Sequence, residues 1–247
     1  MMCCVIRNVN FVPPFVLDSH DGNAAKNFAM DLRIFSNATD RRDIYELRYR
    51  AYIESGLIVR QDDPAFSDQF DDLASSYSIG AYSKGVCIGS LRLAFGDSSS
   101  ADATTMPCQT VFGDVDGLGA RRPGKLVEFT RMVVAPEITN ASFRATLYGT
   151  LVRTATILSK AGKADFALIA VDPKMMKFYS VMCGFKFIAG PRAYPGLTIK
   201  VSLMGRDFSK LEERSTLRNA FFSFSEADVA AARAVFLPVE PELVAAE

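Results

Sequence analysis

Apolar residues alternate at Met30, Leu32 and Ile34, which predicts a half-buried strand over residues 28–35. The period then lengthens. Ile44, Leu47 and Ala51 recur at helical spacing, with Asp40 and Asp43 in the first turn and Gly56 as a stop, so a helix is expected over residues 40–55. Residues 77–82 and 86–95 read as two strands joined at Ser83-Lys84-Gly85, a hairpin signal. A polar, glycine-rich connection covers residues 96–124, with a short helical turn near 107–112. Residues 125–136 form a strand rich in Val and Phe that Pro136 ends by lacking a donor.

The second half continues the alternation of elements. Residues 142–160 predict a helix with Leu147, Leu151, Thr154 and Leu158 inward and Arg153 and Lys160 outward. The unbroken apolar run at 165–171 predicts a strand buried on both faces. Asp172-Pro173 opens a helix that Gly184 stops, and residues 185–188 and 197–203 are strands. Two helices, about 209–222 and 225–236, follow. Residues 1–27 show no period and carry turn residues, which reads as an arm loose or draped over the body. The expected divisions are an arm at 1–27, a body at 28–205 and a helical extension at 206–247. Within the body, a strand, a crossover helix and a second strand form a parallel βαβ unit, which places a cleft at its strand ends.

Charge enters this picture where it is least expected. Glu128 and Arg131 sit inside the apolar strand at 125–136, and Arg92 lies between Leu91 and Leu93 in an earlier one. A buried charge costs several kcal/mol unless it is paired, hydrogen-bonded or facing a cleft. On a regular strand, residues three apart point to opposite faces, so Glu128 and Arg131 have separate roles unless a bulge turns one round. An ion pair supporting the sheet would fit the pattern as well as a site does. Arg48 and Tyr52, four apart, share a helix face. The period-free segment 57–75 holds Asp62, Asp63, Asp68, Asp71 and Asp72, and is either a solvated loop or a lid over a site.

The bulk numbers exclude more than they assign. At 247 residues and 49% hydrophobic, the chain can bury a large core. Its 28 basic and 28 acidic residues cancel, which argues against bulk nucleic-acid or anionic-membrane binding and leaves room only for a local basic patch. The five cysteines, at 3, 4, 87, 108 and 183, form no Cys-x-x-Cys pair and are odd in number, so reduced thiols and a cytoplasmic location are expected. His20 is the only histidine, which leaves no basis for a histidine triad or a multi-histidine metal site. No apolar run approaches the roughly 20 residues a membrane helix needs, and Pro13 and Pro14 break the early one.

The segment Lys177-Phe-Tyr-Ser-Val-Met-Cys-Gly-Phe185 resembles the Phe-Tyr-x-x-x-Gly-Phe signature of the GCN5-related N-acyltransferase (GNAT) superfamily. The resemblance implies a mixed α/β (α+β), largely antiparallel sheet with a central parallel βαβ unit. Arg48-x-x-x-Tyr52, Asp68-x-x-Asp71, Gly89-Ser-Leu-Arg92-Leu93 and Glu128-x-x-Arg131 together resemble its acyl-carrier-protein-dependent branch, which holds the acyl-homoserine-lactone synthases and the long-chain N-acyl amino acid synthases. Homoserine-lactone synthases usually carry a tryptophan after the Arg/aromatic pair and a glutamate two before the first paired aspartate. This chain has no Trp, and Phe66 occupies the second position. Pro191-Arg-Ala-Tyr-Pro195 is more similar to the amino-acid-acylating enzymes.

What the resemblance implies is transfer of a fatty acyl group from the phosphopantetheine of an acyl carrier protein to the amine of an amino acid, with no bound cofactor. Glu128 would be the base, Tyr179 the acid for the leaving thiolate, and backbone N–H groups around Met132, Val133 and Val134 the oxyanion donors. Arg48, Arg92 and Arg131 are the candidates for the acceptor's carboxylate. In the other reading of these arginines they pair with Asp68 and Asp71 to hold the acidic loop down. Arg144, Arg153, Lys160 and Lys163, on or beside one helix, are the candidate carrier-protein patch. Residues 137–146 lack the Gln/Arg-x-x-Gly-x-Gly/Ala loop with which coenzyme A users of this fold wrap the pyrophosphate. A homoserine-lactone synthase using S-adenosylmethionine, and a non-catalytic regulator that binds acyl chains or carrier protein, are the alternatives.

Overall fold

The β-branched and aromatic runs pair into one sheet, and the helices between them cover its two faces. The computed structural model describes residues 6–8, 30–36, 41–97, 106–115, 124–209, 211, 222 and 224–236. Its strands are β1 (Ile6–Asn8), β2 (Asp31–Ser36), β3 (Ser76–Ser83), β4 (Val86–Asp97), β5 (Lys125–Val134), β6 (Phe166–Val171), β7 (Lys186–Ala193) and β8 (Lys200–Asp207). They lie in the order β1-β2-β3-β4-β5-β6-β8-β7, which is seven strands extended at one edge by the three residues of β1. Every pair is antiparallel except β5 with β6. The helices are α1 (Arg42–Glu54), α2 (Gln109–Phe112), α3 (Ala141–Ala161), α4 (Met176–Cys183) and α5 (Glu226–Arg233). This is the mixed, largely antiparallel architecture with a central parallel βαβ unit that the GNAT resemblance implies.

The two faces of β4 and β5 carry different chemistry. Leu91, Leu93, Val127 and Phe129 face α3 and join the largest core cluster, with Leu147, Leu151, Ala155 and Leu158. At Gly89 the helix comes so close that a Cβ would sit 3.2 Å from the Leu147 and Leu151 side chains. On the opposite face, α1 packs Ile44, Leu47 and Tyr52 against Val133. A third cluster around Met106, Cys108 and Phe112 covers Ala94, Leu126 and Leu168.

Several boundaries differ from the sequence reading. The expected arm contributes β1, which pairs antiparallel with β2 through Ile6 and Phe35. Three residues are too few to show a period, so the sequence gave no sign of it. The strand expected at 185–188 is longer, running as β7 to Ala193 through Gly190-Pro191; β7 is the terminal strand, where a missing donor costs no ladder bond. The outward face of α3 is covered as well. Arg153 pairs with Asp228 of α5 at 2.8 Å, and Lys160 donates to the Phe208 carbonyl at 3.2 Å. Val229, Ala232 and Val235 of the C-terminal segment belong to the same core as α3. α5 itself begins at a capping box in which Ser225 and Asp228 satisfy each other's backbone N–H groups. The helix expected at 209–222 lies largely outside the described residues.

Candidate active site

The site grows from a departure of strands that begin together. β5 pairs with β6 only from Leu126 opposite Phe166 to Glu128 opposite Leu168. Beyond that point β6 continues against β8 to Val171 while β5 continues against β4 to Val134, so the parallel pair opens into a fork. Glu128 stands at the branch point.

The bulge that the sequence reading left open is present. Between Ser90 and Arg92 the register of β4 on β5 shifts, and Arg131 takes the extra position at φ 55°. A left-handed arginine costs roughly 1–2 kcal/mol. The conformation brings its guanidinium to the Arg92 face, where both arginines meet Asp68, so Glu128 and Arg131 share a face despite their spacing of three.

The paired aspartates organise this face. Asp71, fully buried, accepts from Arg48 at 2.8 Å and lies 3.0 Å from Arg92. Asp68 accepts from Arg92 at 3.1 Å and from Arg131 Nε at 3.1 Å, and its own N–H donates to Asp71 at 3.0 Å. Burial opposes ionisation of both carboxylates, but the guanidinium groups outweigh it and hold both below the usual carboxylate range. The acidic segment is therefore strapped to the sheet by its own charges. Arg48 and Arg92 have no exposed side-chain surface and are spent on this strap. Arg131 differs, because Nε and one terminal amine go to Asp68 while the other terminal amine has no protein partner among the described residues. Three guanidinium groups face the two aspartates, and Arg92 and Arg131 lie within electrostatic reach of Glu128 as well.

Glu128 is fully buried. Its Oε2 accepts from the Cys108 backbone N–H at 2.8 Å, and Oε1 has no protein partner. Burial raises its pKa; the Cys108 backbone and thiol, then the charges of Arg92 and Arg131, pull against that rise. The Cys108 thiol is itself pushed well up by burial and by Glu128, so it stays neutral beside the carboxylate. Tyr194 completes the surroundings within electrostatic reach of Glu128 and Arg131, its hydroxyl raised chiefly by burial. Tyr52 stacks on Phe66 at 5.2 Å, and the Arg131 guanidinium lies 4.7 Å from the Phe66 ring.

Tyr179, on the inner side of α4, is raised by burial and lies within electrostatic reach of Tyr52, Tyr148 and Cys183. Among the described residues no hydrogen bond occupies its hydroxyl, unlike the satisfied tyrosine of an ordinary core. Met132, Val133 and Val134 lie on the free arm of the fork, past the last β6 pairing. The four basic residues proposed as one patch are not brought together. Arg153 and Lys160 turn to the C-terminal segment, and Arg144 and Lys163 stand 19 positions apart at opposite ends of α3, about 28 Å along a helix. Seven-residue spacing put Arg153 and Lys160 on one face correctly, but that face is occupied. Cys108 and Tyr194 were not singled out from sequence. Cys108 is a lone cysteine in a polar connection, and Tyr194 stood only inside the Pro191–Pro195 segment.

A sheet that forks beside a buried carboxylate, with cationic and aromatic groups on one face, defines an acyltransferase of the GNAT type. A family model described as N-acyl amino acid synthase FeeM matches residues 43–207, and the chain belongs to that family. Among solved structures, FeeM, an N-acyl amino acid synthase from uncultured soil microbes, superposes with a TM-score of 0.57 at 16% identity, covering 74% of this chain and 92% of that one. The acyl-homoserine-lactone synthase LasI gives 0.57 at 14% identity, covering 80% and 98%. A coenzyme A-dependent acyl-homoserine-lactone synthase, BjaI, gives 0.50 at 14% identity, covering 78% and 90%. At these identities the structures show the shared fold alone. No curated protein matches the chain. Among the described residues there is no cluster suited to a metal ion and no helix long and apolar enough to cross a membrane.

Proposed function

We propose that the protein transfers a fatty acyl group from the phosphopantetheine thioester of an acyl carrier protein to the α-amine of an amino acid. The observation that carries this reading is the buried Glu128 at the fork, on the same face as an arginine with a terminal amine to spare. Acylation of an amine needs a base, because an α-ammonium group is mostly protonated at neutral pH. Glu128, raised by burial, takes that proton directly or through a water. The freed amine attacks the thioester carbonyl. Negative charge develops on the carbonyl oxygen and is met by backbone N–H groups of the free arm of β5 around Met132, Val133 and Val134. The C–S bond breaks, Tyr179 gives its proton to the departing thiolate, the nitrogen passes its second proton to the tyrosinate so formed, directly or through water, and the products are the N-acyl amino acid and the carrier thiol.

The acceptor's carboxylate falls to Arg131, since Arg48 and Arg92 are already spent on Asp71 and Asp68. The donor assignment rests on the turn before α3. Asn140 caps that helix by accepting from the Phe143 N–H at 2.9 Å, and Glu137 before it is paired with Arg50. A pyrophosphate finds no glycine cradle there, whereas a carrier-protein thioester has no pyrophosphate to place. Mass spectrometry of lipids from cells expressing the protein is the test. N-acyl amino acids absent from cells carrying Glu128→Gln are expected. Release of methylthioadenosine from S-adenosylmethionine would instead make the protein a homoserine-lactone synthase.

A further inference from the structure

Helix α4 carries apolar residues on both sides. Met176, Tyr179 and Cys183, at i, i+3 and i+7, pack on the main core. The opposite stripe is Met175, Phe178, Val181 and Met182, exposed by 44, 42, 71 and 43%. Phe187, 55% exposed on the terminal strand β7, lies beside it. Of seven exposed large apolar side chains among the described residues, these are five. An apolar face left in water on a surface helix marks a contact surface.

The charges on the stripe's own segment have one sign, with Asp172 just before it turned to cap the Lys174 N–H. Lys174, Lys177 and Lys186 are exposed, and residues 173–188 contain no Asp or Glu. Arg206, which donates to the Cys183 carbonyl, adds a further positive charge behind the helix. We propose that the outer face of α4 and the adjoining end of β7 seat the protein on an anionic lipid surface. Protruding Phe, Met and Val side chains enter the boundary between headgroups and acyl chains, and the lysines meet the headgroups. A carrier protein docked through charge alone would leave the five apolar side chains in water, which is why lipid is the better occupant. The inner side of the same helix carries Tyr179. If the acyl-transfer reading holds, an amphiphilic product leaves the cleft directly into the bilayer, but the surface itself does not depend on that reading.

The test is flotation of the full-length protein with vesicles of phosphatidylcholine, with and without phosphatidylglycerol. Binding to the anionic vesicles and much weaker binding to the neutral ones is expected. A lysine near such a surface strengthens partition about fivefold, so the combined Lys174→Gln, Lys177→Gln and Lys186→Gln variant should bind about a hundredfold more weakly. Val181→Ser with Phe187→Ser should abolish binding, with thermal unfolding unchanged because both are more than half exposed. Turnover of a short-chain, water-soluble thioester without vesicles should be the same in both variants, which separates membrane seating from catalysis. Absence of vesicle binding at any composition overturns the proposal. So does binding indifferent to both sets of substitutions, loss of carrier-protein binding without any vesicle binding, or a dimer that the same substitutions dissociate.

Discussion

At Glu128 the requirements of folding and of catalysis oppose each other. Its pKa is raised by burial, so the neutral acid suits the folded state and the ionised base suits the reaction. A raised folded pKa means that its contribution to stability is present at low pH and lost as pH rises through that value. We therefore expect kcat/KM to climb along an acid limb displaced above the ~4.3 of a free glutamate. Glu128→Gln should lower the rate by about 10²–10⁴ while leaving the melting temperature unchanged or higher. Full activity in a folded mutant, read by initial rates and thermal unfolding, would remove Glu128 from the mechanism. Arg131→Lys should raise the KM for the amino acid about tenfold or more, because a single ammonium cannot hold Asp68 as two guanidinium nitrogens do and still present a third to the carboxylate. The amino-acid amide should be a correspondingly poor acceptor. Both charges were visible in the sequence as intrusions into an apolar strand. What hid their shared face was the left-handed Arg131, a conformation usually marked by glycine or asparagine and here by neither.

The acidic segment between α1 and β3 is held as an element by charge instead of by periodic packing. Asp68 and Asp71 both have folded pKa values below their unfolded ones, so the stability they confer is present above about pH 4 and disappears as pH falls further. Urea denaturation at pH 7 and pH 3 should show the loss. Asp71→Asn at neutral pH should cost about 3–5 kcal/mol, since it leaves Arg48 buried without its counter-charge. A cost under 1 kcal/mol would mean that the strap contributes little. The sequence offered the pairing of Arg48, Arg92 and Arg131 with Asp68 and Asp71 as one of two readings, and the structure shows it; the sequence could not choose between them, because pairings 23 to 63 residues apart carry no period. Elements with a strong period fared best. The helix expected at 142–160 is α3 at Ala141–Ala161, and the one expected at 40–55 is α1 at Arg42–Glu54. The strand expected at 185–188 was too short, since Pro191 is tolerated at a sheet edge where no ladder bond is lost.

For the whole molecule, the order of strands and helices was enough to expect the architecture, and the βαβ unit enough to expect a cleft. The fork was not legible, because alternation along a strand fixes its faces and says nothing of how far a neighbour accompanies it. The donor is likewise a property of the assembled surface. Purified protein should use acyl carrier protein thioesters much faster than the same acyl groups on coenzyme A. Added salt should slow the carrier-protein reaction, since charge contacts are screened over about 8 Å at physiological ionic strength. Equal use of acyl-coenzyme A would overturn the donor assignment.

The fork also bears on solvent exchange. Between Phe129 and Val134 the edge of β5 that turns from β6 keeps peptide groups without a ladder partner, although the side chains of Phe129, Val133 and Val134 are buried. Ordinarily burial and slow deuterium uptake go together. Here they should separate, with amides on that edge exchanging faster than those of β4 directly across the sheet. A thioester arm seated in the fork should slow them. Mass-resolved deuterium uptake of the peptide spanning residues 126–134 would then report donor occupancy in the absence of any turnover.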